Sequence, residues 1–307
     1  MQVTTTGRSR RPAFPAASSA RARGRWWFRR PERLQARLAD RAGRPPSGSV
    51  VLVTPRSLAA DPATCAQLEA SVAEVRFRPG PLDADDLADA LSGVDAVLAG
   101  LDRFDDTVFS RTPQLRVVAR FGAGVDNVDL AAAARYGVAV TNTPGVNANA
   151  VAELTIALFF ALARPILARV DAVRSGHWRA TPGFELAGRT LGRIGLGAVG
   201  RRVATKAAAL GCRVLASDPL VAEADARAAG AELAALEAVV AAADVLSLHA
   251  PLTAETRDLV DRRLLDAMKA GAALINTARG EPVVEADLFR ALDDHRARTT
   301  RCSGVTT

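Results

Sequence analysis

Residues 190–219, "TLGRIGLGAVGRRVATKAAALGCRVLASDP", decide the fold. The strand-like run "TLGRIGLG" leads directly into a helix-forming stretch, and the strand-like run "RVLASDP" follows. Glycines at positions 195, 197 and 200 form the pattern G-x-G-x-x-G at the first junction. Asp218 ends the second strand 18 positions after Gly200. This order of strand, glycine turn, helix, strand and acid is typical of a dinucleotide-binding βαβ unit.

The glycine turn predicts a binding site for NAD. Gly195 permits the tight turn, Gly197 lets the backbone approach a pyrophosphate, and Gly200 lets the helix pack closely on the strand. Ala198 and Val199 begin that helix, whose free N–H groups and dipole favour an anion. Asp218 would accept hydrogen bonds from ribose hydroxyls and repel a 2′-phosphate, which favours NAD over NADP. The alternative is a strand–helix turn that merely favours glycine.

Strand and helix patterns also alternate on both sides of this unit. The chain is therefore predicted to be an α/β protein with two Rossmann-like domains. A flavodoxin-like substrate-binding domain is expected over residues 49–152 and a doubly wound NAD-binding domain over residues 184–294. Between them, residues 153–183 are expected to supply an interdomain helix, broken at Pro165, and a linker.

The positive net charge of +7 belongs to the start of the chain. Residues 1–48 contain twelve arginines and only two acids, so the remaining residues sum to −3. A segment of this composition cannot bury a core and is expected to be a disordered leader. A transit peptide and a nucleic-acid-binding arm are alternatives for the leader. No feature of the folded body favours nucleic-acid binding.

The cysteines indicate a reducing compartment. Cys65, Cys212 and Cys302 are odd in number and far apart in sequence, which argues against a disulfide framework and against a zinc site. The most apolar run, residues 155–163, is too short to span a membrane. A cytoplasmic protein without a metal is the expectation.

Three stretches together resemble the D-isomer-specific 2-hydroxyacid dehydrogenases, and within that family most of all the 3-phosphoglycerate dehydrogenases. They are "VVARFGAGVDNVDLAAAARYGVAVTNTPGVNANAVAEL", "LAGRTLGRIGLGAVGRRVATKAAALGCRVLASDP" and "ADVLSLHAPLTAETRDLVDRRLLDAMKAGAALINTARGE". The resemblance covers about residues 49–294. It implies an active site between the two domains, a small 2-oxo or 2-hydroxy acid as substrate, and a homodimer.

The resemblance also assigns roles to individual residues. It implies that Arg279 of "NTARG" binds the substrate carboxylate and 2-oxo group, a role suited to a planar guanidinium. The turn residues Gly122, Ala123 and Gly124 of "FGAGVDN", together with Asn147, are expected at the same substrate. His249, Pro251, Thr277 and Ala278 match positions that line the dinucleotide. Three further cations are candidates for binding a substrate phosphate, namely Arg103, Arg116 and Arg120.

Two features depart from the family pattern. The glutamate and the histidine that handle the proton in this family have no counterpart before residue 307, and His295 has no suitably placed glutamate. We therefore expect an irregular tail over residues 295–307, an NAD domain that lacks its last strands, and an exposed sheet edge. The second departure is Arg193, a charged residue at a strand position that is normally apolar in the family and costly to bury unpaired.

Three functional hypotheses follow. The first is an NAD-dependent oxidoreductase acting on the CH–OH group of a 3-phosphoglycerate-like D-2-hydroxy acid, impaired by the missing acid–base residues, with glyoxylate or hydroxypyruvate as alternative substrates. The second is a non-catalytic NAD-binding remnant of such an enzyme. The third is a nucleic-acid-binding module that depends on the leader, which predicts steeply salt-dependent binding.

Overall fold

The first described half of the chain folds into a five-stranded parallel sheet. The computed structural model describes residues 48–178, 182–294 and 297–301. The predicted leader lies outside them except for residue 48, as do His295 and Cys302. The strands of this sheet are β1 (Val50–Val53), β2 (Glu74–Phe77), β3 (Ala96–Ala99), β4 (Val117–Arg120) and β5 (Ala139–Thr141). Their order, β2-β1-β3-β4-β5, is that of a flavodoxin-like sheet and confirms the prediction for this domain.

Aspartates begin most of the helices that connect these strands. The helices are α1 (Arg56–Ala59), α2 (Pro62–Glu69), α3 (Ala84–Ala90), α4 (Asp106–Arg111) and α5 (Leu130–Arg135). The side chain of the aspartate preceding each of α2, α3, α4 and α5 accepts a hydrogen bond from a backbone N–H in the first turn. Such a cap satisfies an N–H that has no partner within the helix, which fixes where the helix starts.

Two consecutive helices lead to the second domain. They are α6 (Ala148–Ala163) and α7 (Ile166–Arg174), and Pro165 separates them as the sequence predicts. Phe159 and Ala163 of α6 are buried in the core of the second domain, against residues such as Val203 and Val214. The helix therefore belongs by its packing to the second domain, although it starts directly after the first.

The second domain contains a six-stranded parallel sheet. Its strands are β6 (Thr190–Ile194), β7 (Arg213–Ser217), β8 (Glu232–Leu233), β9 (Val245–Leu248), β10 (Ala272–Asn276) and β11 (Ala297–Arg301). The order β11-β10-β9-β6-β7-β8 is the doubly wound order 3-2-1-4-5-6, with β6 as strand 1. The helices of this domain are α8 (Ala198–Ala209), α9 (Glu223–Ala228), α10 (Leu236–Ala242), α11 (Arg262–Ala267) and α12 (Glu285–Asp293).

Strand β11 corrects two expectations. Residues 297–301 pair in parallel with all five residues of β10, so the predicted irregular tail is wrong for these residues. The sheet does not end at β10, and β10 is not an exposed edge. The prediction relied on side-chain periodicity, whereas β11 forms by backbone hydrogen bonds to the free edge of β10 and contains two β-branched threonines.

Residues 255–271 have a helical sequence pattern, but only part of this stretch is helical in the structure. The helix is Arg262–Ala267, with Asp261 as its cap. Hydrogen bonds between Thr253 and Thr256 hold a turn before it, and Asp258 has a φ of 55°. Side-chain hydrogen bonds of threonine to the local backbone compete with helix formation, which explains the late start.

Candidate active site

The glycine turn predicted to bind a dinucleotide connects β6 to α8. Gly195 has a φ of +94°, and a side chain there would lie 2.7 Å from Ala250 N, so only glycine fits. A methyl group on Gly200 would lie 2.6 Å from Gly195 O, which shows how closely the helix approaches the strand. Gly197 has open space above its Cα, and Ala198 beside it is exposed. The turn is therefore closed on its inner side and open on its outer side at a helix N-terminus, which fits a dinucleotide pyrophosphate.

Asp218 lies beside this turn at the carboxyl end of β7. Its Oδ2 accepts a hydrogen bond of 2.7 Å from Leu196 N, and its Oδ1 accepts one of 2.9 Å from Leu220 N. The carboxylate is only partly buried. It is placed where the fold brings the ribose-binding acid, and it also fixes the glycine turn.

His249 lies next to the glycine turn rather than at the substrate end of the cleft. Its N–H donates to Ile194 O at 2.8 Å, and its Nε2 is 2.9 Å from Ser247 Oγ. Burial lowers the pKa of His249 well below its ordinary value, and the positive charge of Arg193 lowers it further. The ring is neutral at pH 7, which suits a residue that lines the cofactor. Pro251 follows in the same loop, where its carbonyl accepts a hydrogen bond from Thr256 Oγ.

Arg193 is fully buried beneath the glycine turn. Its Nη2 donates to Gly195 O at 3.2 Å, whereas Nε and Nη1 have no hydrogen-bond partner. Burial lowers the pKa of Arg193 to about 9, opposed by the negative charge of Asp218. The expectation of a buried, incompletely paired charge at this strand position is confirmed.

Arg279 emerges from the carboxyl end of β10, in a turn that Asn276 stabilises. The Asn276 side chain donates to Arg279 O and accepts from Ala278 N at 3.0 Å. Thr277 in the same turn lies 3.0 Å from Thr155 on α6, measured between the two hydroxyl oxygens. These hydrogen bonds fix the backbone of residues 276–279 and connect it to α6.

The guanidinium of Arg279 reaches the first domain, where it meets Asp126. Nε and Nη2 donate to the two carboxylate oxygens of Asp126 at 3.0 Å each, while Nη1 donates to Ala278 O at 2.8 Å. Burial alone would raise the pKa of Asp126. The hydrogen bond and charge of Arg279, with a contribution from Arg120, outweigh burial and lower that pKa below its ordinary value. The pair therefore joins the two domains as a bidentate ion pair.

The predicted substrate turn packs directly against this ion pair. A side chain on Gly124 would overlap Arg279 Nη2 and lie 2.7 Å from Asp126 Oδ1. Gly122 has a φ of +142° and lies over the guanidinium of Arg120. The carbonyl of Ala123 accepts from Asn142 at 2.7 Å. The structure thus places Gly124 against Arg279, with Gly122 and Ala123 in the same turn.

Asn147 occupies the position before α6. It makes no side-chain capping hydrogen bond, so its amide is not used by the helix. Gly145, two residues earlier, lies over the first residue of α8, since a Cβ on Gly145 would be 3.8 Å from Ala198 Cβ. The loop that carries Asn147 therefore contacts the N-terminus of α8, next to the glycine turn.

The candidate cations occupy different places. Arg120 is buried, donates to Asn127 Oδ1 at 3.3 Å and to the carbonyl of Phe121, and has a pKa lowered by burial and by Arg279. Arg103 and Arg257 line a cleft of about 400 Å³, together with Asp126 and Glu281. Arg116 lies before β4, at the opposite end of that strand from Arg120, so it is not at the cleft.

Sequence patterns missed several of these residues. Asp126, Asn276 and Thr155 were not predicted to form the site, although Asp126 lies within the motif "FGAGVDN" and Asn276 is the first residue of "NTARG". In the part of the chain that the structure describes, no group of three metal-ligating side chains converges. No single helix among the same residues is long and apolar enough to cross a membrane. Helices α6 and α7 reach the length and hydrophobicity of a membrane span only when they are taken together, and this pair is bent by 63°.

Comparison with known proteins places residues 156–301 in one family model, described as "D-isomer specific 2-hydroxyacid dehydrogenase, NAD binding domain". A D-3-phosphoglycerate dehydrogenase of Mycobacterium bovis is 40% identical over 240 residues, which are 77% of this chain and 45% of that protein. The chain thus spans about half the length of this relative. A hydroxypyruvate reductase of Thermotoga maritima is 35% identical over 226 residues, which are 73% of each chain.

A solved structure shows the same fold with ligands bound. The D-lactate dehydrogenase of Aquifex aeolicus, complexed with NAD and lactic acid, superposes with a TM-score of 0.71 at 26% identity. The superposition covers 81% of this chain and 74% of that one.

Proposed function

The chain belongs to the D-isomer-specific 2-hydroxyacid dehydrogenase family, and we propose that it is an NAD-dependent oxidoreductase acting on a 3-phosphoglycerate-like D-2-hydroxy acid. The resemblance found in the sequence is confirmed, and the second domain is an NAD-binding domain of this family. The observation that carries the proposal is the position of Arg279. Its guanidinium packs on Gly124 and pairs with Asp126, so it extends from the second domain to the predicted substrate turn of the first.

Bound NAD would supply the hydride acceptor. Gly195, Gly197 and Gly200 would hold its pyrophosphate at the start of α8, and Asp218 its adenosine ribose. His249, Pro251, Thr277 and Ala278 would line the dinucleotide. The His249 ring, which is hydrogen-bonded to Ser247, is neutral and would add no positive charge beside the cofactor.

The substrate carboxylate would bind to Arg279 and to the backbone N–H groups of the turn at Gly122, Ala123 and Gly124. A planar guanidinium binds a carboxylate through two parallel hydrogen bonds, which orients the adjacent carbon as well as binding the acid. Asn147 would contribute an amide that its own helix does not use. Together these groups would present the reacting carbon to the cofactor in one orientation.

The preference for a phosphorylated acid is supported by two arginines near Asp126. Arg103 is 83% exposed at the cleft that Asp126 also lines, and Arg120 lies buried under Gly122, where it interacts electrostatically with Asp126. A phosphate would be bound by such charges at close range. Hydroxypyruvate is the second candidate, because the chain covers 73% of a hydroxypyruvate reductase.

The test is a set of NADH-oxidation assays followed by absorbance, with 3-phosphohydroxypyruvate, hydroxypyruvate and glyoxylate as substrates. We expect the phosphorylated acid to have the highest kcat/KM, and the Arg279→Gln variant to lose turnover with all three. Turnover that is equal in the variant and the wild-type chain would contradict the proposed role of Arg279. Binding of NADH without turnover of any of the acids would favour the non-catalytic alternative.

We further propose that the chain forms a homodimer and acts in the cytoplasm. Helix α7 exposes several apolar side chains, among them Leu167 at 74% and Val173 at 56%. An apolar helix face of this kind is typical of an interaction surface. Cys65 and Cys212 are free thiols, which suits a reducing compartment. Analytical ultracentrifugation of the wild-type chain and of Leu167→Glu would test the dimer, which the variant should dissociate.

A further inference from the structure

The side chain of Arg193 is the least explained feature of the second domain. It projects from the middle of β6 and has no solvent exposure, and it has the largest volume among the fully buried side chains of the described residues. The guanidinium lies between Gly195 and Gly200, because Nη2 donates to Gly195 O and would be overlapped by any methyl group on Gly200. The charge therefore lies directly under the turn that connects β6 to α8.

None of its neighbours neutralises this charge. Nε and Nη1 have no hydrogen-bond partner, and the contact of Nη2 is with a neutral carbonyl. Asp218 is near enough to act on Arg193 electrostatically, but its oxygens accept hydrogen bonds from Leu196 N and Leu220 N. His249 is kept neutral. The folded chain thus contains a buried cation whose cost is not offset by protein groups.

We propose that Arg193 is a positioning residue for the dinucleotide, a buried counter-charge that lies beneath the glycine turn and attracts the cofactor pyrophosphate from its inner side. The inference rests on the proposed binding of NAD at this turn. Two independent observations coincide at one place, namely the N-terminus of α8, a helix of 12 residues, and an incompletely paired guanidinium beneath it. Both present positive potential to the outer side of the same turn.

The charge remains on the side chain under ordinary conditions. Burial lowers the pKa of Arg193 only to about 9, so the guanidinium is protonated at pH 7. Charges in a poorly solvated interior act over longer distances than charges in water, because the surrounding dielectric constant is low. Arg193 can therefore act on an anion without touching it, through the backbone of the turn.

Arg193 should therefore affect stability and cofactor affinity in a way that a purely structural residue would not. Arg193 should destabilise the ligand-free protein and strengthen cofactor binding, because the pyrophosphate supplies the negative charge that the protein lacks. Replacing it with a neutral side chain of similar length should thus change stability and affinity in opposite directions. A ligand that binds only the folded state raises its stability in proportion to its affinity, so both effects can be measured by thermal unfolding.

The experiment compares the full chain with its Arg193→Met and Arg193→Lys variants. Without ligand, Arg193→Met should melt about 2–4 °C higher than the wild-type chain. Its dissociation constant for NADH, measured by fluorescence titration, should rise about tenfold. Arg193→Lys places an ammonium that loses its charge more readily on burial, so its affinity for NADH should lie between those of the wild-type chain and of Arg193→Met.

A second pair of ligands isolates the pyrophosphate. ADP contains two phosphates and adenosine contains none, so Arg193→Met should weaken binding of ADP and leave binding of adenosine unchanged. Equal losses for both ligands would show a distorted site and overturn the proposal. A higher melting temperature with unchanged NADH affinity would also overturn it, since Arg193 would then be a buried charge without a ligand. If the wild-type chain fails to bind NADH, the proposed function fails and the inference fails with it, whereas the two preceding outcomes overturn the inference alone.

Discussion

Two arginines of the second domain have opposite environments. Arg279, at the proposed substrate site, is 36% exposed, and Asp126 from the other domain accepts two hydrogen bonds from it. Arg193, beneath the glycine turn, is fully buried, and two of its three side-chain nitrogens have no hydrogen-bond partner. Arg279 is paired with a carboxylate, whereas no carboxylate among the described residues is hydrogen-bonded to Arg193.

This difference predicts that Arg279 determines which anions bind, whereas Arg193 mainly contributes to how strongly an anion binds. An anion that binds Arg279 must replace or share the interaction with Asp126, so the site selects ligands that make a better bidentate contact. An anion bound at the outer side of the glycine turn displaces no protein carboxylate from Arg193. The attraction between that anion and Arg193 should therefore be less specific.

The largest effect is expected at Arg279. The Arg279→Gln variant should bind oxalate, an unreactive mimic of a 2-oxo acid, about 100-fold more weakly in the presence of NADH. A lost charge-assisted bidentate contact of this kind is worth about 1.5–3 kcal/mol. Calorimetric titration measures the loss, and Arg279→Lys is the matched control that preserves charge without the planar fork. Unchanged oxalate binding in the glutamine variant would place the substrate elsewhere.

The next effect concerns the backbone of the glycine turn. Gly195→Ala should destabilise the chain by about 1–3 kcal/mol, because its φ of +94° is strained for alanine and the new methyl group would lie 2.7 Å from Ala250 N. NADH affinity should fall as well. Chemical denaturation and NADH titration test both effects. Gly197→Ala, where a methyl group meets no atom within 4 Å, is the control and should leave stability almost unchanged while weakening NADH binding.

A smaller effect in the opposite direction is expected at Asp126. Replacing it with asparagine removes a negative charge beside Arg279, so oxalate should bind about two- to fivefold more tightly at low salt. A weaker affinity would show that Asp126 serves mainly to orient Arg279.

Asp126 also makes a pH-dependent contribution to stability. The pKa of Asp126 is lowered in the folded chain, so the pair stabilises the fold above the unfolded carboxyl pKa of about 3.9. That contribution disappears as pH falls through the lower, folded-state pKa. Wild-type and Asp126→Asn unfolding free energies should therefore differ by at most about 1 kcal/mol at pH 7 and converge at low pH.

The smallest effect should be at an ion pair outside the cleft. Arg227 and Glu223 face each other one turn apart on α9, with both side chains more than 70% exposed. Glu223→Ala should change the free energy of unfolding by less than about 0.5 kcal/mol and leave NADH and oxalate binding unaltered. A larger change in the free energy of unfolding would show that solvent exposure does not predict how much an ion pair stabilises this chain.

The sequence predicted the parts of the molecule that local patterns determine. Alternating strands and helices, the glycine turn and the position of Asp218 after the next strand all follow from spacing and backbone chemistry, and the structure places them as expected. The burial of Arg193 was also predictable from its position in an apolar strand. What could not be predicted depends on contacts between distant segments. Asp126 meets Arg279 across 153 positions, and β11 forms because β10 offers a free edge.

The most direct test is a fluorescence titration of the chain with NADH and with NADPH. We predict saturable binding of one NADH per chain, weaker binding of NADPH, and loss of this preference in Asp218→Ala, because the carboxylate that repels a 2′-phosphate is gone. Absence of NADH binding, or equal affinity of the wild-type chain for both cofactors, would contradict the assignment of the glycine turn and Asp218.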